Sequence, residues 1–132
     1  MIFAILLIVG AGYIVYTYSQ SVSFNKAIEN INEQPIEYLY FDNLARNAGF
    51  SQEERYKLFQ IAQCESGLIV NNTKIDTIEE SYGLLMINVK AHPEYANLDL
   101  FDPQVNLNVA YQIFKNQGWY AWKNCSKNLG FI

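Results

Sequence analysis

The residues with the clearest chemical potential lie in the segment Cys64–Gly67, which reads C-E-S-G. Glu65 follows an apolar helical pattern and precedes a glycine, so we expect it at the C-terminal end of a helix. Apolar neighbours and the negative end of the helix dipole both disfavour an ionised carboxylate, so both raise its pKa. A carboxyl group that keeps its proton near neutral pH can protonate the leaving oxygen of a glycosidic bond. The alternative is an ordinary solvated glutamate before a turn.

Two helices are predicted before Glu65. The segment after Ile36 has a one-sided apolar pattern that stops at Gly49. Ser51–Glu54 reads S-Q-E-E, a capping box that begins a second helix ending near Glu65. The predicted apolar faces comprise Tyr38, Leu39, Phe41, Leu44 and Ala45 in the first helix, and Leu58, Phe59, Ile61 and Ala62 in the second.

The residues after Glu65 predict a loop, a small β element and further helix. Asn71–Glu80 is polar and loop-like, whereas Tyr82–Val89 is β-prone and predicts a short strand or hairpin. Asp102-Pro103 begins another helix, with proline where its missing N–H costs nothing. Trp119–Asn124 predicts a final short helical turn. The globular part is therefore expected to be mainly α, of an α+β type with a small β element.

The N-terminal segment has a different composition. Residues 2–18 carry no charge and are at the short end of what spans a bilayer, with tyrosines clustered at the C-terminal side. A cleaved signal peptide, which would need a basic start and a small-residue cleavage site, and a buried core helix are the alternatives. We interpret residues 1–18 as a single transmembrane anchor, 19–35 as a polar stalk and 36–132 as the catalytic domain.

Composition and charge exclude several classes of function. The chain has 132 residues and a formal net charge of −4, without a basic run, so nucleic acid is not an expected partner. His92 is the only histidine, and it precedes a proline in a predicted surface loop. No Cys/His spacing predicts a metal site, and no phosphate-binding loop or nucleophile elbow is present. We therefore expect neither metal nor cofactor.

Four segments occur in a fixed order at domain-sized spacings: Cys64–Gly67, Ser81–Asn88 (S-Y-G-L-L-M-I-N), Leu100–Asn106 (L-F-D-P-Q-V-N) and Gly118–Trp122 (G-W-Y-A-W). Together they resemble the lysozyme-like superfamily, in particular soluble lytic transglycosylase domains and phage-associated murein-degrading enzymes. The resemblance covers Tyr38–Ile132 and implies an enzyme that breaks the β-1,4 bond between MurNAc and GlcNAc in peptidoglycan, with Glu65 as the catalytic residue.

The resemblance also implies a set of substrate contacts. Ser66, Met86 and Asn88 are among these predicted contacts. The Ser66 hydroxyl could instead cap the turn after Glu65, and the Asn88 side chain could instead stabilise a turn. Met86 stands where the family usually has glutamine, and it lacks the two amide hydrogens of that residue. Either a saccharide contact is lost or the thioether packs against the sugar. The remaining predicted contacts of this segment are Ser81 and Tyr82.

Two aromatic residues complete the predicted groove. Tyr111 lies on the penultimate helix, where the family often carries a groove-lining tyrosine. Trp119 is predicted to stack on a sugar ring, the alternative being that it closes the core. Trp122, three residues later, is predicted to belong to the core.

The number of carboxylates bears on the type of cleavage. Animal-type lysozymes, which this region also resembles, have an aspartate two positions before the glycine of their Y-G-x-x-x-I-N segment, where this chain has Ser81. Asp76, Glu79 and Glu80 are nearby, but their polar stretch predicts simple solvation. The resemblance implies a lytic transglycosylase, in which one glutamate serves as acid and then as base. A hydrolytic muramidase and an inactive wall-binding protein of the same fold are the alternatives.

Cys64 and Cys125 are the only cysteines. An even count in an exported domain predicts a disulfide, and lysozyme-like proteins often have a cysteine just after a similar W-x-x-W segment. The alternative is a pair of buried thiols.

The expected setting is a single-pass membrane protein whose catalytic domain faces peptidoglycan, in a phage virion membrane or a bacterial inner membrane, with envelope or virion assembly partners.

Overall fold

A computed structural model of the chain describes residues 36–132. The anchor and stalk predicted for residues 1–35 lie outside this range. The described elements are the helices α1 (Tyr38–Ala48), α2 (Gln52–Ser66), α3 (Pro103–Gln117) and α4 (Lys123–Asn128), and the strands β1 (Thr73–Ile75), β2 (Glu80–Tyr82) and β3 (Ile87–Asn88). Within this part of the chain, no helix combines the length and apolar character needed to cross a membrane.

The ends of α1 and α2 follow directly from the sequence. Gly49 adopts a left-handed conformation with φ of 115°, and its N–H donates to the carbonyls of Ala45 and Arg46, which closes α1. Ser51 and Glu54 form the predicted capping box at the start of α2. Gly67, also in a left-handed conformation, ends α2, so this helix has defined caps at both ends.

The predicted β element is present but larger than expected. Three short strands form one antiparallel sheet in the order β1-β2-β3. The prediction of a loop throughout Asn71–Glu80 is wrong, because Thr73–Ile75 pairs with Glu80–Tyr82. All three residues of β1 are exposed, so this strand has no alternation of apolar and polar residues to reveal it.

Helix α3 begins as the sequence predicts. The Asp102 side chain accepts a hydrogen bond from the Val105 N–H at 2.8 Å, and proline occupies the first helical position. A 3₁₀ helix over Gly118–Trp122 follows α3 and leads directly into α4. The predicted final turn is thus longer than expected, since helical structure continues to Asn128.

The core includes the segment between β2 and β3. Leu84 and Leu85 are fully buried, so the loop that joins these strands is held by apolar packing. Tyr38 and Leu39 do not belong to the core, since they are 40% and 73% exposed. The other fully buried apolar residues are Phe41, Ala45, Leu58, Ile61, Ala62, Leu107 and Ala110.

A disulfide joins Cys64 at the end of α2 to Cys125 in α4. It closes a loop with a sequence separation of 61. In the chain-entropy model such a link stabilises the folded state by about 4 kcal/mol. We expect reduction, or replacement of both cysteines by serine, to lower the free energy of unfolding by about that amount, measured by urea unfolding with and without reductant. A loss below about 1 kcal/mol would contradict a structural role for the bridge.

Candidate active site

Glu65 lies in the last turn of α2 and is half-buried. Its burial removes water from the carboxyl group and raises its pKa above the ordinary value for glutamate. The negative charge of Glu79 raises this pKa further, and the positive charge of Lys74 lowers it by a smaller amount. Burial and the charge of Glu79 thus shift the pKa of this carboxyl group in the direction that a general acid requires.

The two charges that act on Glu65 come from the hairpin of β1 and β2. The Glu79 carboxylate accepts from the Ser81 hydroxyl at 2.7 Å and is hydrogen-bonded to the Lys74 ammonium. Its side chain is only 26% exposed. The prediction that Glu79 is simply solvated is therefore wrong. The two partners lie directly opposite each other, because Lys74 of β1 pairs with Ser81 of β2.

The other two acidic residues of this stretch stabilise the hairpin. Asp76 accepts hydrogen bonds from the N–H groups of Ile78 and Glu79, which lowers its pKa. Glu80 accepts a hydrogen bond from the Tyr82 hydroxyl at 2.7 Å, and this bond raises the pKa of the tyrosine. Both carboxylates are thus engaged in local contacts of the sheet.

A cavity of about 190 Å³ adjoins the segment Ile87–Asn88. Met86 and Asn88 line it together with Gln117 at the end of α3. The sequence pattern gave no role to Gln117, whose amide stands at the same cavity as the methionine that replaces the family's glutamine. The remaining lining residues are Ile87, Ala91, His92, Ile113, Ala121 and Trp122.

Asn88 fulfils its turn-stabilising alternative and also lines this cavity, while its contact with a sugar stays a prediction. Its side-chain carbonyl accepts hydrogen bonds from the N–H groups of Glu80 and Lys90, which stabilises the turn. Its side-chain NH₂ group makes no hydrogen bond within residues 36–132 and is available to a ligand. Met86, two residues earlier, adopts a left-handed backbone conformation with φ of 46°.

Three predicted contacts are placed elsewhere. The Ser66 hydroxyl donates to the Ala62 carbonyl and accepts from the Leu68 N–H, which is the turn-capping alternative. Tyr82 lines a separate cavity of about 260 Å³, where its ring meets Phe101 edge-to-face. Ser81 is fully buried and contacts Glu79, so its hydroxyl reaches the site through that carboxylate.

The three aromatic residues of the sequence analysis pack against other parts of the domain. Tyr111 packs edge-to-face on Phe50, and it is not among the residues that line the cavity at Met86. The ring of Trp119 packs against Phe114 with centroids 4.5 Å apart. Trp122 is buried as predicted, and its indole N–H donates to the Leu85 carbonyl at 2.9 Å. Sugar contacts by Tyr111 and Trp119 stay predictions.

Asn106 is a structural determinant of the site to which the sequence analysis gave no role. It is fully buried in α3, and its side-chain NH₂ donates to the carbonyls of Tyr82 and Leu100 at 3.0 and 2.9 Å. Its carbonyl accepts from the Leu85 N–H at 3.0 Å. Gly83 is required beside it, because a Cβ there would overlap the Asn106 amide. Its signals in the sequence are its place at the end of the segment Leu100–Asn106 and an amide within an otherwise apolar helical face.

Comparison with known families places this geometry in a class. The profile of the family described as "Lysozyme like domain" matches residues 42–124, and the chain belongs to this family. No match was found among curated proteins or among solved structures. The matched range contains Glu65, the three strands and the whole of α3. The domain is therefore of the peptidoglycan-acting type, within the superfamily of glycosidases and transglycosylases.

Proposed function

We propose that this protein cleaves the β-1,4 glycosidic bond between MurNAc and GlcNAc in peptidoglycan, with Glu65 as the general acid. The observation that carries the proposal is the half-buried carboxyl group at the end of α2, whose pKa is raised by burial and by Glu79. A protonated carboxyl group is what departure of the glycosidic oxygen requires. The family match supports the substrate class.

Within this function we propose lytic transglycosylation as the first route. Glu65 donates its proton to the bridging oxygen as the bond to the anomeric carbon breaks. The resulting carboxylate then takes the proton of the substrate's own 6-hydroxyl, whose oxygen bonds to that carbon and forms an anhydro ring. One carboxyl group is sufficient for both steps, and Glu65 regains its proton at the end.

Hydrolysis is the second candidate, and one observation favours it. Glu79 provides a second carboxylate whose charge acts on Glu65, and its contacts with Lys74 and Ser81 lower its pKa. A two-carboxylate glycosidase uses such a pair, one protonated and one ionised. In that route Glu65 protonates the departing oxygen, water attacks the anomeric carbon and gives a proton to the ionised carboxylate of the pair, and the product has a reducing end.

Mass spectrometry of digested murein tests the function and separates the two routes. Purified protein is incubated with murein sacculi, and the released muropeptides are analysed. Anhydro-muramic ends would establish transglycosylation, and reducing MurNAc ends would establish hydrolysis. If the protein binds sacculi in a pelleting assay without releasing muropeptides, the domain is the inactive wall-binding alternative.

We further propose that residues 1–18 hold it at a membrane, which alkaline extraction of membranes from expressing cells tests.

The Met86 position gives a prediction about substrate affinity. Met86→Gln restores two amide hydrogens at the cavity that also contains Asn88 and Gln117. A neutral hydrogen bond contributes about 0.5–1.5 kcal/mol, so we expect KM for murein fragments to fall roughly 2- to 10-fold with little change in kcat. Met86→Leu, which keeps an apolar side chain, is the control. A rise in KM for both variants would instead show that the thioether itself packs on the substrate.

A further inference from the structure

The cavity of about 260 Å³ at Tyr82 is lined from two parts of the chain. Glu80 and Tyr82 line it from β2, and Leu98, Asp99 and Phe101 line it from the segment that precedes α3. The rings of Tyr82 and Phe101 meet edge-to-face, with centroids 5.6 Å apart. The proposed cleavage chemistry gives no role to this cavity.

The two walls of this cavity are fixed relative to each other. The buried Asn106 amide donates to the Tyr82 carbonyl on one wall and to the Leu100 carbonyl on the other, at 3.0 and 2.9 Å. The walls also approach closely, because a Cβ on Gly83 would overlap the Leu100 carbonyl. The cavity is therefore preformed, so a ligand that enters it needs little ordering of the protein.

The charge of the cavity is negative. The Glu80 carboxylate accepts a hydrogen bond from the Tyr82 hydroxyl at 2.7 Å, and the Asp99 carboxylate accepts from the Phe101 N–H at 3.2 Å. Among the ion pairs of residues 36–132, none includes Glu80 or Asp99. No lysine, arginine or histidine of the described chain lines the cavity. Two carboxylates without a cation thus lie beside two aromatic rings.

This combination fits one class of ligand, an ammonium group carried on an apolar chain. Carboxylates attract the ammonium group, and so do the faces of aromatic rings. Leu98 and Phe101 are 47% and 42% exposed, so they offer apolar surface to the methylene groups of such a ligand. An anionic ligand is repelled by the two carboxylates, and a neutral one leaves their charges uncompensated.

The cavity at Tyr82 adjoins the cavity that contains Met86 and Asn88. Tyr82 of β2 is directly paired with Ile87 of β3, and Ile87 lines the Met86 cavity. Directly opposed residues of antiparallel strands are about 4.5–5.5 Å apart, whereas three residues of an extended peptide span about 10 Å. A peptide attached to a sugar in the Met86 cavity is therefore long enough to reach the cavity at Tyr82.

We propose that the cavity at Tyr82 and Phe101 binds the ammonium group of a lysine-type side chain in the peptide stem of murein, with Glu80 and Asp99 as its charge partners. This inference rests on the proposed function, which supplies murein as the substrate. It makes the peptide stem a determinant of substrate affinity. The domain then distinguishes a stem with a free side-chain amine from one whose amine is blocked.

A matched pair of soluble ligands tests this inference. A muramyl tetrapeptide with lysine as its third residue, and the same molecule with the lysine side chain acetylated, are titrated into the ¹⁵N-labelled full chain in a nonionic detergent. We expect the free amine to shift the NMR signals of Tyr82, Leu98 and Phe101. It should bind about 5- to 20-fold more tightly than the acetylated form, because an exposed ion pair and a cation–π contact each contribute up to about 5-fold. The difference should shrink at high salt.

Two variants test the charge partners. Glu80→Gln and Asp99→Asn each remove one charge but keep an acceptor for the Tyr82 hydroxyl and the Phe101 N–H. Each should weaken binding of the free amine about 2- to 5-fold and leave the affinity for the acetylated ligand unchanged. Glu53→Gln, which removes one exposed charge on α2, is the matched control and should change neither affinity.

The outcomes separate this inference from the proposed function. Equal affinities for the two ligands, or signal shifts confined to Met86 and Asn88, overturn the inference even if murein is cleaved. Selective binding of the free amine at Tyr82 and Phe101, by a protein that releases no muropeptides, supports the amine site and rejects the proposed cleavage. The comparison of the two ligands uses the wild-type protein, so the test stands even if a variant does not fold.

Discussion

Glu65→Gln is expected to lower the rate of murein cleavage by about 10²- to 10⁴-fold, which is the range for loss of a general acid. The amide cannot donate a proton to the glycosidic oxygen, but it has nearly the same shape as the carboxyl group. Muropeptide release by the two forms, at equal protein concentration and over a range of pH, measures the effect. Substrate binding in a pelleting assay should be retained, because the groove residues are unchanged.

The control for this prediction is the stability of the variant. Since burial raises the pKa of Glu65 in the folded state, ionisation of this group destabilises the fold as the pH rises above its unfolded-state value. Glu65→Gln should therefore be more stable than wild type at neutral pH, and the difference should vanish in acid, where both side chains are neutral. A variant that is inactive because it is unfolded would show the opposite. Retained cleavage by a folded Glu65→Gln would reject the proposed function.

The sequence predicted the helices that carry the site because their ends are determined locally. Gly49 and the capping box of Ser51 and Glu54 act within a few residues, so the helix ends that they form can be predicted from the sequence. The same is true of Asp102 at the start of α3. Glu65 was therefore placed correctly at the end of α2, and a raised pKa followed from that placement and its apolar surroundings.

The residues that surround the site could not be predicted in the same way, because their contacts depend on segments that are distant in the chain. Strand β1 has an exposed, polar sequence, and only its pairing with β2 places Lys74 opposite Ser81. The contact of Glu79 with Lys74 depends on that pairing, so the polar local sequence predicted a simply solvated Glu79 instead. Gln117 reaches the cavity at Met86 from the far end of α3, and no spacing in the chain relates the two.

Asn106 is the clearest case of a residue whose importance depends on tertiary contacts, and Asn106→Ala is the stability prediction with the largest expected effect. The change leaves three backbone groups without their partner: the Leu100 carbonyl and the Leu85 N–H, whose hydrogen bonds are buried, and the partly buried Tyr82 carbonyl. A buried group without its partner costs about 1–3 kcal/mol, and single substitutions rarely cost more than about 5 kcal/mol, so we expect the free energy of unfolding to fall by roughly 3–5 kcal/mol. Urea unfolding measures this loss.

Activity should fall together with stability, because these contacts fix the loop that connects β2, next to Glu79, with β3 at the Met86 cavity. Asn116→Ala, an exposed asparagine in the last turn of the same helix, is the matched control and should change the free energy of unfolding by less than about 0.5 kcal/mol. If Asn106→Ala were equally well tolerated, water would have to replace all three hydrogen bonds. The loop would then be held by Leu84 and Leu85 alone, and the hydrogen bonds of Asn106 would not contribute to the free energy of unfolding.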